Sequence, residues 1–152
     1  MKSQIILCSG GARSGKSEFA ERLALATEGR KAYVATGQAF DDEMVDRIKK
    51  HQERRGNIWT NFEIPLYLAE EWQHISSVAD VILIDCLTMF TTNHMMAHGS
   101  IQGQQDANRL EDTVLSELEA LLNLIKVSDD KIVIFVTNEI LHYNIYQLNP
   151  LR

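Results

Sequence analysis

Eight consecutive residues have the types and order needed to hold a chain of phosphates: Gly10-Gly11-Ala12-Arg13-Ser14-Gly15-Lys16-Ser17. They fit the phosphate-loop pattern G-x-x-x-x-G-K-S/T. The glycines let the backbone curl until successive N–H groups point inward. A helix starting at the loop adds the positive end of its dipole. Lys16 is then placed to reach the β- and γ-phosphates, and the Ser17 hydroxyl to ligate Mg²⁺. Arg13 has two even readings, a phosphate contact or a residue facing water. Asp85 closes the apolar run Val81-Ile82-Leu83-Ile84, where proteins with such a loop keep the acid that holds Mg²⁺ or its water. The plainer reading of Asp85 is a strand-terminal turn.

A second constellation lies on the charged segment from Asp41 to Arg55. Arg47, His51 and Arg55 fall at i, i+4 and i+8 and share one side of a helix. Cations one turn away disfavour imidazolium and leave a nucleophilic nitrogen available. The same cations would offset phosphate charge in a transition state. Spacing alone favours a blander reading, a solvated basic face with an incidental histidine. His94 and His98, beside Met95 and Met96, lack cysteines or carboxylates at ligand spacing, so they are read as packing or loop residues.

These residues need elements to position them. Ile5 to Cys8 is a continuous apolar run that suits a central strand buried on both faces. Phe19, Leu23 and Ala26 or Thr27 repeat at helical spacing after the loop, with Gly29 as a stop. Ala32 to Thr36 reads as a strand ending at Gly37. Asp41 or Asp42 caps the charged helix, and Gly56 ends it. Trp59 to Glu63 reads as a short strand, and Pro65 as the first residue of a helix carrying Leu68, Trp72 and Ile75. Val81 to Asp85 is a strand, Thr88 to His98 is mixed, and Gly99 to Gln105 is loop-like. Asp106 to Lys126 is amphipathic, with Leu110, Val114, Leu118, Leu121 and Ile125 on one stripe. Lys131 to Thr137 is another buried strand. Alternating strands and helices predict an α/β fold with a largely parallel sheet.

The 152 residues suffice for one domain with a sizeable core. A net charge of -6 argues against bulk binding of nucleic acid. Cys8 and Cys86 sit in or beside apolar runs and are read as buried free thiols. No stretch approaches a membrane span, and the start, Met1-Lys2-Ser3-Gln4, runs directly into a strand without room for a signal peptide. A cytoplasmic protein is expected.

Together these residues resemble the bifunctional adenosylcobinamide kinase/adenosylcobinamide-phosphate guanylyltransferase family of cobalamin biosynthesis. The resemblance rests on the phosphate loop with Tyr33-Val34-Ala35-Thr36, then Asp41-Asp42-Glu43-Met44, Arg47-Ile48, His51 and Arg54-Arg55. It continues through Trp59-Thr60, Glu63-Ile64-Pro65, Asp85-Cys86-Leu87-Thr88 with Asn93, and Val136-Thr137-Asn138-Glu139. The loop alone is common; joined to the Asp-Asp-Glu-Met…His segment it is specific.

The resemblance implies a RecA-like P-loop NTPase fold, a mostly parallel sheet flanked by helices. It implies phosphorylation of adenosylcobinamide by a nucleoside triphosphate, ATP or GTP, followed by transfer of GMP from GTP to that phosphate. The guanylyl group would ride on His51 as a phosphoramidate, with Lys16 the second catalytic residue. Nucleotide contacts carry over to Gly10 through Ser17, to Ala35, Thr36 and Gly37, to Gln52, Glu53, Arg54 and Arg55, and to Glu63 and Asp85. Ser17 and Asp85 would hold Mg²⁺. The partner is the corrinoid substrate, and homo-oligomers, trimers among them, are implied. The motif match ends at Glu139; the family's closing loop, helix and strand have no counterpart in Ile140 to Arg152. A single domain over 1–152 lacking those elements is therefore expected, with an uncovered sheet edge. A monofunctional small-molecule kinase and an inactive nucleotide-binding remnant stand as alternatives.

Overall fold

Five parallel strands form one sheet in the computed structural model, which describes residues 1–11 and 13–138. The strands are β1 (Gln4–Gly10), β2 (Lys31–Ala35), β3 (Trp59–Glu63), β4 (Val81–Asp85) and β5 (Ile132–Asn138). The helices are α1 (Lys16–Leu25), α2 (Asp42–Arg55), α3 (Leu68–Val78), α4 (Leu87–His98) and α5 (Gln104–Val127). The sheet order is β1-β5-β4-β2-β3. Parallel strands need crossovers, and the helices supply them on both faces.

Alternation along the strands builds two cores. Ala32, Val34, Ile82, Ile84, Val133 and Phe135 meet Leu68, Trp72 and Ile75 of α3, Phe90 of α4, and Leu110, Val114, Leu121 and Ile125 of α5. On the opposite face Cys8, Leu83, Ile134 and Val136 meet Ala20 and Ala24 of α1, with Trp59. Each large side chain so buried contributes roughly 1.5–3 kcal/mol.

Four expectations shift. The stripe of α1 is Ala20 and Ala24, while Phe19 is 54% exposed; small side chains let the helix lie close on the strands. β1 is not buried on both faces. It pairs only with β5 among the described residues, and Leu7 is 60% exposed. Helix α3 begins at Leu68, not Pro65, because the preceding backbone is tied elsewhere. The Ile64 N–H donates to Ala35 O at 2.9 Å, and Asn93 Nδ2 donates to Pro65 O at 3.1 Å. The mixed stretch after Asp85 is a helix, α4. Its buried face is Phe90, Asn93 and His94, so polar residues hide the apolar period that marks a helix. The sequence beyond Asn138, including the expected divergence after Glu139, lies outside the described residues.

At the N-terminal end of the sheet, Asp80 receives hydrogen bonds from the Arg30 backbone N–H at 2.9 Å and from Arg30 Nε and Nη2 at 3.0 Å each. Lys131 Nζ lies 3.5 Å from the same carboxylate. Gly29, at φ +116°, faces this cluster; a Cβ there would stand 3.0 Å from the Asp80 Cβ.

Candidate active site

Strand register lines up the residues of interest. Glu63 pairs with Ala35, Ala35 with Asp85, Asp85 with Val136, and Val136 with Cys8. One row thus crosses the C-terminal ends of all five strands, the edge where parallel α/β sheets bind ligands. The phosphate loop leaves β1 two residues beyond Cys8. The strand bearing Asp85 is separated from β1 by β5 alone, so the two lie roughly 10 Å apart across the sheet.

The loop has the geometry of an anion cradle. Gly15 is left-handed at φ 81°, and no side chain caps α1, so the helix N–H groups remain for a ligand. At Gly10 a Cβ would lie 2.8 Å from Ser14 Oγ, so a side chain there would displace the Ser14 hydroxyl. Arg13 is exposed, with φ 60°. Lys16 Nζ donates to Gly11 O at 3.0 Å, which folds the loop on itself. A hollow of about 610 Å³ opens beside Gly10, Ser14, Gly15 and Lys16. Ser17 is the second residue of α1 and is half-buried. Ala12 is outside the described residues.

Asp85 is half-buried, and its Oδ2 accepts a 2.6 Å hydrogen bond from Tyr33 Oη. Burial, and then the Asp85 charge, push the Tyr33 hydroxyl well above the usual tyrosine range. Next to it Thr36 is fully buried. Its Oγ1 donates to Cys86 O at 2.7 Å and accepts from Cys86 N at 2.8 Å. The Thr36 side chain therefore stitches the ends of β2 and β4 together, and Asn93 Nδ2 binds its carbonyl at 2.6 Å. Cys86 Sγ accepts from Met89 N and caps α4. Burial raises the pKa of both Cys8 and Cys86, keeping them as free thiols.

His51 is exposed on α2, a helix with no buried residue. The helix starts at Asp41, whose carboxylate accepts from Met44 N at 2.7 Å, and ends at Gly56. Half-buried Met44 and Ile48 lie on its inner side, and its last turn carries the ionic contacts to the body. Arg54 Nη2 meets Glu21 Oε2 at 2.8 Å. The Arg55 guanidinium lies 3.6 Å over the Tyr33 ring, donates to Asn61 Oδ1 at 3.1 Å, and approaches Glu21 at 3.8 Å. The Arg55 side chain is only 5% exposed, and its Nε is buried without a partner. The expected pair of arginines about His51 is thus divided, since Arg47 turns away to Glu43 at 3.4 Å. His51, Gln52 and Arg55 line a cavity of about 90 Å³ with Tyr33, Ala35 and Asn61. Glu53 and Glu63 are exposed, and Gly37 is half-buried.

The two constellations therefore meet at Tyr33, with Asp85 on its hydroxyl and Arg55 on its ring. Sequence reasoning gave Tyr33, Glu21 and Asn61 no role. A tyrosine on a strand signals packing, and nothing local announces which helix will lie over it. His94 packs edge-on to Phe90, and His98 meets Asp106 at 2.9 Å.

Residues 6–150 match the family described as "Cobinamide kinase / cobinamide phosphate guanyltransferase". The chain belongs to this family. The matched span runs on past Glu139, where the motif resemblance ends. Among curated members, "Bifunctional adenosylcobalamin biosynthesis protein CobP" of Pseudomonas aeruginosa is 39% identical over 133 residues, covering 88% of this chain and 70% of that protein. The CobU proteins of Escherichia coli K12 and Salmonella typhimurium are 32% and 34% identical, each covering 90% of this chain and 75% of the relative. Among solved structures, the ATPase EscN of an enteropathogenic E. coli type III secretion system superposes with a TM-score of 0.59. It is 13% identical, and the match covers 95% of this chain and 40% of that one. This likeness speaks for the fold alone, a parallel α/β sheet flanked by helices.

Proposed function

We propose that this cobinamide kinase/guanyltransferase family member performs both reactions named for its relatives. In the first, the aminopropanol hydroxyl of adenosylcobinamide attacks the γ-phosphorus of a nucleoside triphosphate, ATP or GTP. The β–γ bridging bond breaks, the nucleoside diphosphate leaves, and the hydroxyl proton is released. In the second, a ring nitrogen of His51 attacks the α-phosphorus of GTP and pyrophosphate leaves. The phosphate of adenosylcobinamide phosphate then takes the guanylyl group from His51 to give adenosylcobinamide-GDP.

One observation carries the reading. The phosphate loop and Asp85 share the row of strand ends that His51 overhangs from α2. The uncapped start of α1 and Lys16 would bind phosphates, with Lys16 releasing Gly11 O to reach them. Gly10, Gly11 and Ala12 to Ser17 would wrap the phosphates. Ala35, Thr36, Gly37, Gln52, Glu53, Arg54, Arg55 and Glu63 would bound the rest of the nucleotide, Thr36 through positioning. Ser17 and Asp85 would hold Mg²⁺. Their hydroxyl and carboxylate are the hard oxygen donors this ion takes. Among the described residues no three metal-ligating side chains cluster, which suits an ion that arrives with the triphosphate. When bound it would neutralise charge on the β- and γ-oxygens.

In this reading the chain acts as a single domain in the cytoplasm and as a homo-oligomer. Among the described residues no helix is long and apolar enough to cross a membrane. The test is incubation with α-labelled GTP. Acid-labile label on the wild-type protein, absent from His51→Ala, is the expected outcome. Bound GTP without label would sink guanylyl transfer and leave a kinase, and turnover of adenosylcobinamide at a clear rate excludes an inactive remnant.

A further inference from the structure

We propose that Tyr33 is a positioning residue for Asp85, holding its carboxylate in the one orientation that serves the metal side of a bound nucleotide. The inference rests on the nucleotide reading above and extends it to a residue that neither touches phosphate nor belongs to the loop.

Asp85 ends β4, where a carboxylate on a short side chain is free to rotate. Tyr33 removes that freedom. Its Oη donates to Asp85 Oδ2 at 2.6 Å, which leaves Oδ1 as the oxygen that would serve the metal. A hydrogen bond to an ionised acceptor is about twice as strong as a neutral one. The hydroxyl is the donor in this pair, since a carboxylate can only accept. The tyrosine is itself fixed on two sides. Trp59 packs against it edge-to-face with centroids 6.0 Å apart, and Arg55 covers the ring at 3.6 Å. Arg55 is anchored in turn by Asn61. A ring clamped in this way presents its hydroxyl at one point, so the carboxylate inherits the precision of the sheet. Supporting contacts of this kind typically set metal affinity by 10- to 100-fold.

The experiment measures GTP affinity twice, with saturating Mg²⁺ and in EDTA, for wild type, Tyr33→Phe and Asp85→Asn. Phe keeps the ring between Trp59 and Arg55 and deletes only the hydroxyl. The expected result is an EDTA affinity within about twofold of wild type, an Mg²⁺-dependent gain reduced about tenfold in Tyr33→Phe, and no gain in Asp85→Asn. A wild-type gain in Tyr33→Phe beside its loss in Asp85→Asn overturns the role of Tyr33. A gain retained in Asp85→Asn removes Asp85 from the metal side, and the inference falls with the nucleotide reading beneath it. Weaker binding in EDTA with a lower melting temperature would make Tyr33 a packing residue only. Should Tyr33→Phe fail to fold, Tyr33→His keeps both a ring under Arg55 and a donor. It is expected to retain part of the gain, and complete loss in a folded Tyr33→His would count against the inference.

Discussion

Replacing Glu21 by Gln should loosen α2 without unfolding the sheet. Glu21 lies on α1, is 14% exposed, and receives Arg54 at 2.8 Å and Arg55 at 3.8 Å. Gln keeps the shape and removes the charge. The Arg54 side is half exposed, so its ion pair is worth about 0.5 kcal/mol. Arg55 is nearly buried, and a charge-assisted contact there is worth roughly 1 kcal/mol more. The sum, about 1.5 kcal/mol, corresponds to a melting shift of roughly 3–6 °C if fully expressed globally. Because α2 has no buried residue, most of it should appear locally. Native-state hydrogen exchange is the appropriate assay. Amides of α2 should exchange roughly tenfold faster, while those of β4 and β5 stay within twofold. The difference should shrink in 0.5 M salt, where screening shortens to a few ångströms. Uniform acceleration across β4 and β5, or no change in α2, would refute the view that ionic contacts at its last turn hold this helix.

Asp80→Asn tests the opposite end of the sheet through pH. Arg30 holds the Asp80 carboxyl well below the usual carboxylate range. Its contribution is therefore complete above the unfolded value of about 3.9 and is lost as pH falls towards the folded one. Urea titrations should show wild type ahead by roughly 1 kcal/mol near pH 7, discounted for partial exposure, with the gap closing below about pH 4. A gap that widened on acidification would contradict this. Gly29→Ala should cost about 2 kcal/mol, since φ is +116° and the new Cβ would press on Asp80. Calorimetry should show a fall in melting temperature, whereas GTP affinity in the folded protein should not move.

Much of this architecture was readable before any coordinates. The strand over Val81–Asp85 stands where the apolar run lies, because burial on both faces leaves an unbroken signal; the short strand over Trp59–Glu63 also forms, although it is largely exposed. Asp41 and Gly56 bracket α2 as cap chemistry requires. Other features were not legible. Phe19 looked like a core residue by spacing, yet the close approach of α1 to the strands selects Ala20 and Ala24. In α4 the buried Asn93 and His94 satisfy carbonyls of Thr36 and Leu66, so tertiary hydrogen bonds replace the apolar stripe. The grouping of Arg47, His51 and Arg55 was correct in helical phase. It could not reveal that Tyr33, on another element, would draw Arg55 inward. Contacts between elements distant in sequence leave no local pattern.

The helix that carries His51 lends no apolar side chain to the two buried core clusters, and only the Arg55 side chain at its end is covered. Folding and chemistry therefore draw on largely separate residues. Substitutions along the outer faces of α2 can alter reactivity, substrate reach or charge at little cost to the marginal stability that limits change elsewhere. The phosphate loop has less latitude, since the left-handed Gly15 serves the backbone and the start of α1 at once. A laboratory seeking new acceptor chemistry from this scaffold would diversify the exposed positions of α2 between Glu43 and Lys50 and leave His51, Arg54, Arg55 and the strands untouched.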